Sequence, residues 1–244
     1  MVHETVYYRP RSIAEAQRLA EAGAVYGAGL TALQLGWAGD LPEQGVIDVT
    51  CLDLGPPATV LPDGRIRMAA NATLEEIRLH PALAPFPILT GLVRSIGATP
   101  VRNLATIGGN LLWGGDLVVL VAAFGARLCF CDHAVDVETM DEVPAGLLMA
   151  VEMRPGPGFV EKVGFRAAFT PARVLVAGRV KGKALRLALR AQGGPVVAAD
   201  LPSGACVDPA IGALVARSHA KGEDAAIAAS LLVHYARALD GASS

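Results

Sequence analysis

Charge of either sign is scarce in this chain: 21 Lys and Arg stand against 23 Asp and Glu in 244 residues, for a net charge of -2. So even a balance excludes the basic footprint of a nucleic-acid binder, and no basic stripe interleaved with aromatics appears where only 5% of residues are aromatic. The four cysteines, Cys51, Cys129, Cys131 and Cys206, form neither a C-x-x-C pair nor an iron–sulfur spacing, so the chain is expected to carry no cluster of its own. A spanning helix needs ~20 apolar residues. The longest run, residues 117–130, is shorter and is interrupted by Arg127, so no membrane span is expected. Met1-Val2-His3-Glu4 lacks the basic and apolar regions of a signal peptide, which makes a cytoplasmic location the expectation. There is no G-x-S-x-G, Walker loop or H-E-x-x-H, and His3, His80, His219 and His234 are scattered singly.

What the chain has is apolar mass: 52% hydrophobic residues and a mean hydropathy of +0.43, enough for one large domain or two small ones. Alanine supplies much of it, so the hint of subunit interfaces is weak. Cys129, Cys131 and His133 alternate as on one strand face; a buried strand with free thiols explains them better than a metal site.

The periodicity predicts an α+β chain. Strands are expected over 5–8, 25–26 and 46–49, with a hairpin of 58–61 and 65–69 around Pro62-Asp63-Gly64. The S-x-x-E spacing at Ser12 and the T-x-x-E spacing at Thr73 open helices closing near Gly23 and His80. Short helices are expected over 31–37 and 88–96, then strands over 127–131, 147–152, 159–166 and 173–180. Lys181-Gly182-Lys183 turns into a strand over 184–189. Gly193-Gly194-Pro195 and residues 200–204 read as breakers before helices over 209–216 and 223–239.

One segment carries chemistry: Val101-Arg102-Asn103-Leu104-Ala105-Thr106-Ile107-Gly108-Gly109-Asn110. Two glycines let a ligand approach the main chain without meeting a Cβ, and their N–H groups can converge on a phosphate oxygen while Thr106 and Asn110 add side-chain donors. Asp116 is the expected N-cap of a helix over 117–124. A bare Gly-Gly is more often only a turn. The order of the whole segment, with Asp116-Leu117 downstream, resembles the second diphosphate-binding loop of the FAD-binding subunit of the molybdenum hydroxylases, the family of xanthine dehydrogenase, carbon monoxide dehydrogenase and related aldehyde and N-heterocycle oxidoreductases. Gly27-Ala28-Gly29-Leu30-Thr31-Ala32-Leu33 stands where that family has its first loop, and Ile47-Asp48-Val49 is similar to the strand after it. Glu161-Lys162-Val163-Gly164-Phe165-Arg166 and Pro171 to Ala177 are similar to two later strands.

The resemblance implies a PCMH-like FAD-binding domain of two subdomains over 1–169, followed by a shortened C-terminal α/β domain over 170–244. It implies FAD held by Tyr26, Gly27, Ala28, Gly29, Leu30, Thr31, Ala32 and Leu33 in the first loop and by Thr106, Ile107, Gly108, Gly109 and Asn110 in the second. Ile96 and Leu148 would be apolar contacts, equally readable as core; Asp116 would bind a ribose hydroxyl and Lys162 would be a cationic contact, or a solvated strand residue. The implied partners are an iron–sulfur small subunit and a molybdenum-cofactor large subunit, with NAD or another acceptor taking the electrons.

Departures from the pattern are Leu30 in place of a glycine, Ala32 in place of an acid, and a short Leu111-Leu112-Trp113-Gly114-Gly115 without its Pro. A degenerate scaffold that has lost tight FAD binding is the alternative, and a free-standing oxidase of the vanillyl-alcohol-oxidase type lacks its covalent-flavin His motif. Trp113 is either a stacking partner for the cofactor or plain packing. Gly108→Val is expected to abolish flavin retention with the fold intact.

Overall fold

At the centre of the computed structural model lies a helix whose every residue is buried, Leu117–Phe124. The model describes residues 5–34, 42–138, 146–166, 171–202 and 207–241. Eight apolar residues in succession have no polar face to offer water, so both sides of this helix must be covered. One side meets the N-terminal half of the chain, where Phe124 packs on Phe86 with ring centroids 5.3 Å apart. The other meets a sheet through Leu175, Ala177 and Ala188.

In chain order the strands are β1 (Tyr7–Tyr8), β2 (Val25–Gly27), β3 (Val46–Asp48), β4 (Ala58–Val60), β5 (Ile66–Ala69), β6 (Ala126–Phe130), β7 (Ala134–Val137), β8 (Leu148–Met153), β9 (Gly158–Gly164), β10 (Ala172–Lys181), β11 (Ala184–Ala191) and β12 (Val196–Pro202). The helices are α1 (Ile13–Glu21), α2 (Leu74–Leu79), α3 (Pro87–Arg94), α4 (Thr99–Arg102), α5 (Ile107–Leu112), α6 (Leu117–Phe124), α7 (Val207–Arg217) and α8 (Gly222–Gly241). A small parallel sheet runs β1-β3-β2, an antiparallel sheet runs β4-β5-β8-β6-β7, and a second antiparallel sheet runs β12-β11-β10-β9. On β10 the side chains alternate: Leu175 and Ala177 face α6, whereas Val174 and Val176 face a second core with Ile211 of α7 and Leu232 of α8.

The mixed helix-and-sheet class is as the sequence predicts, and most elements fall within a residue or two of expectation. Two strands are additional. β7 follows β6 in a tight hairpin, and β12 continues past Asp200, because pairing with β11 satisfies its backbone regardless of the polar residue. β9 precedes the boundary expected near residue 170, yet pairs with β10 in the last sheet. The helix expected over 31–37 is helical at Leu33 and Gln34, and residues 35–37 lie outside the described ones. Cys131 Sγ accepts a hydrogen bond from Gln17 Nε2 at 3.1 Å, while the His133 ring stacks on Phe130, so the expected alternation of thiols and imidazole does not persist beyond β6. Cys206 is outside the described residues.

Both expected helix starts are capped. Ser12 accepts from the Glu15 N–H, and Thr73 forms a full capping box with Glu76. Behind that box, Arg102 is buried: its Nε donates to Glu75 Oε2 at 2.7 Å and its Nη1 to the Gly97 carbonyl at 2.7 Å, tying α2 to the start of α4. The hydrogen bonds from Arg78 and Arg102 hold the Glu75 carboxyl down from the ordinary 4.5 to about 2. A carboxyl lowered by folding stabilises the native state above its unfolded value, and that contribution is lost as pH falls through the folded value. Glu75→Gln should therefore lower Tm at pH 7 and flatten the loss of stability between pH 4.5 and pH 2, as read by thermal melts across that range.

Candidate cofactor site

The second glycine segment is the first turn of a helix, and its amides are already used. Thr106 is the N-cap of α5 and accepts the Gly109 N–H at 3.0 Å. The Ile107 N–H donates to the Ala72 carbonyl at 3.0 Å, the Gly108 N–H to the Ala70 carbonyl at 2.9 Å, and the Asn110 N–H to the Thr106 carbonyl at 2.9 Å. A Cβ on Gly108 would lie 2.7 Å from the Ala70 carbonyl oxygen. The expectation that these amides converge on a phosphate is thus corrected: the glycine lets a helix dock on a neighbouring backbone. Asp116 stands at the N-cap position of α6, as expected, but its side chain does not make the cap. Asn110 Oδ1 accepts the Leu117 N–H at 3.0 Å and caps α6, while Asp116 makes no cap bond and instead accepts from Lys162 Nζ at 2.6 Å. Lys162 also donates to the Ser95 carbonyl at 3.1 Å, so it is neither solvated nor free.

The first glycine segment is the opposite case. After β2 the chain takes two left-handed residues, Gly29 at φ +48 and Leu30 at φ +57. Gly29 has no room for a Cβ, which would collide with the Leu104 carbonyl, so the two loops touch backbone to backbone. Leu30 has a Cβ and holds this conformation at a cost of about 1–2 kcal/mol. Its N–H turns back to the Ala28 carbonyl, while the N–H groups of Gly29, Thr31 and Ala32 have no protein partner among the described residues.

Two cavities meet between the loops. The first, of about 230 Å³, is lined by Tyr26, Gly27, Ala28, Leu30, Thr31, Ala32 and Leu33 on one side; Thr106, Gly108, Gly109, Asn110 and Trp113 form the other, with Leu148 at the back. The second, of about 340 Å³, shares Thr31, Ala32, Asn110 and Trp113 and adds Ile96 and Asp116. Of the expected site residues, three line neither cavity. Ile107 is fully buried in the core, Gly29 faces a separate groove behind loop one, and Lys162 reaches the second cavity only through Asp116. Arg190 on β11, which no sequence signal marks, lines the second cavity.

Among the described residues no carboxylate lines the first cavity, and its walls are apolar apart from Thr31, Thr106, Asn110 and the Tyr26 phenol, whose pKa is raised mainly by burial. The Thr31 and Ala32 amides, the Thr31 hydroxyl and the Nδ2 of Asn110, without a protein partner among the described residues, offer neutral donors where the cavities join. These residues fit an extended dinucleotide whose diphosphate lies at the junction.

A family model described as the FAD binding domain in molybdopterin dehydrogenase matches residues 2–142. The chain belongs to that family. FAD is therefore its cofactor, and it is an oxidoreductase component. Beyond the matched residues the likeness to solved structures runs almost end to end. A chain of quinoline 2-oxidoreductase from Pseudomonas putida 86 matches this FAD-binding chain with a TM-score of 0.74 and 18% identity, covering 97% of this chain and 98% of that one. Carbon monoxide dehydrogenase from Hydrogenophaga pseudoflava gives 0.76 and 18%, covering 98% of each chain, and that from Oligotropha carboxidovorans gives 0.74 and 18% with the same coverage. The shared fold thus includes the C-terminal sheet and helices. Among the described residues, no helix of this FAD-binding chain is long and apolar enough to cross a membrane.

Because Gly108 is pressed on the Ala70 carbonyl, Gly108→Val should destabilise the fold itself, by about 1–3 kcal/mol of overpacking. Chemical denaturation without added flavin reads this, and an apoprotein as stable as wild type would show that the helix does not dock there.

Proposed function

We propose that this chain is the electron-transfer subunit of a multi-subunit molybdenum-containing hydroxylase or dehydrogenase, taking electrons from the iron–sulfur clusters of a partner subunit and passing them to NAD or another acceptor. The observation that carries this reading is the pair of joined cavities lined by both glycine loops. When bound, FAD supplies the redox chemistry, accepting electrons singly or in pairs. The protein's part is to bind and orient. Thr31, Ala32 and Asn110 offer donors at the junction, Tyr26, Leu148 and Ile96 give the walls, and Asp116, fixed by Lys162, offers an acceptor for a ribose hydroxyl.

Among the described residues lining the two cavities the ionisable side chains are Tyr26, Asp116 and Arg190, and the tie of Asp116 to Lys162 supports a positioning role for it, with substrate oxidation on a different subunit. Exposed Val101, Leu104, Leu112 and Trp113 on this side of the molecule support a protein partner close to the cofactor. A division into an FAD-binding unit and a C-terminal unit suits the same reading, with β9 counted in the second because of its pairing.

One observation favours the scaffold alternative. Leu30 is strained and its side chain lies in the first cavity, against Gly27, where the family pattern leaves space. The purified chain should show a flavin absorption spectrum and at most transfer electrons from NADH to an artificial dye, without hydroxylating any substrate. Leu30→Gly with Ala32→Asp should bind FAD more tightly than wild type in apoprotein titrations. No binding by either protein points to the scaffold, and hydroxylation without partners refutes the relay.

A further inference from the structure

Charge is nearly absent from the walls of the two cavities. Among the described residues lining them, the charged side chains are Asp116 and Arg190. They are not equivalent. Asp116 is neutralised by Lys162 at 2.6 Å, with the two side chains 17% and 11% exposed. Arg190 has no carboxylate within ion-pairing distance among the described residues. It extends from β11 across the interface between the two halves of the chain, where its Nη1 donates to the carbonyls of Gly114 and Gly115, the latter at 3.2 Å. Those bonds fix the guanidinium beside the turn that joins α5 to α6, and leave the N–H groups of Nε and Nη2 without a protein partner among the described residues. Arg190 is half-buried, so its charge is only partly screened by water.

A half-buried cation held by carbonyls and lacking a counter-ion is suited to a ligand anion. The glycine loops offer only neutral donors, since α5 uses its own first amides and, among the described residues, no Lys or Arg lines the first cavity. We propose that Arg190 is the residue that recognises the cofactor's diphosphate by charge, supplied from the C-terminal sheet to a site otherwise built by the N-terminal half. A planar guanidinium held at one edge and free at the other suits phosphate oxygens, which a lysine would meet only as a point charge. This inference rests on the FAD reading of the cavities.

The test is equilibrium binding of FAD, ADP and riboflavin to the full-length apoprotein at several salt concentrations, for wild type, Arg190→Gln and Arg190→Lys. ADP carries the diphosphate without the flavin, and riboflavin the flavin without phosphate. Wild type should bind FAD and ADP less tightly as salt rises. Arg190→Gln should weaken both by roughly tenfold to a hundredfold and flatten that salt dependence, leaving riboflavin unchanged. Arg190→Lys should keep the salt dependence with a smaller loss of affinity. Salt-independent ADP binding by wild type would overturn the assignment even if the Gln variant did not fold. So would equal weakening of all three ligands by Arg190→Gln, or unaltered FAD binding, and in both cases the FAD reading would stand. Wild type that binds neither FAD nor ADP would overturn both.

Discussion

The seating of one helix on one short piece of backbone organises this molecule. β5 ends at Ala69, and the next few residues lie alongside residues 105–108: the Leu74 N–H donates to the Ala105 carbonyl at 2.7 Å, Thr73 bridges Thr106, and the Ile107 and Gly108 amides donate to Ala72 and Ala70. An approach this close excludes any side chain at Gly108, and in return it satisfies amides that a helix start would leave bare. Everything around the cavities is measured from that junction. Gly29 rests on the Leu104 carbonyl, Asn110 one turn on caps α6, and α6 carries the C-terminal sheet on its far side.

Electrostatics follow the same economy. In an apolar interior an unpaired charge is expensive, and the charges near the site are tied: Glu75 to Arg102 and Arg78, Asp116 to Lys162, Arg186 to Asp200 and the Ala122 carbonyl. Pairing also positions. The bond from Lys162 on β9 to Asp116 at the start of α6 joins the two halves of the chain, as does the bond from Arg186 on β11 to the last turn of α6. Arg190 reaches across the same interface without an acidic partner among the described residues, which is why it stands apart from the other cations around the cleft.

The two glycine segments divide labour in a way that their composition does not announce. The segment with the intact motif is rigid and internally satisfied, and offers the cavity a surface and one amide donor from Asn110. The segment with the altered motif holds the unpartnered amides, and holds them in a left-handed conformation that its Leu30 adopts against preference. Strain at a residue lining a ligand cavity is characteristic of a site kept for something other than stability.

Much of the fold was legible in the residues themselves. The capping spacings at Ser12 and Thr73, the Pro62-Asp63-Gly64 hairpin and the apolar run of α6 are local signals, decided by hydrogen bonds and burial within a few residues, and the structure bears them out. The order of residues around the second glycine pair, with Asp116-Leu117 downstream, likewise pointed to the family whose model matches residues 2–142. What the motif could not reveal was where its amides point. That depends on Ala70 and Ala72, more than thirty residues upstream, just as the cap of α6 depends on Asn110 instead of the adjacent Asp116. β7 and β12 were invisible for a related reason: a strand of modest propensity forms when a neighbour completes its hydrogen bonds. Sequence alone therefore determined the elements and the kind of site, through local sterics and period. Only the tertiary structure decided which amides remain free, which charge is unpaired and that Arg190 enters the cleft, because each depends on partners brought together by packing across distant parts of the chain.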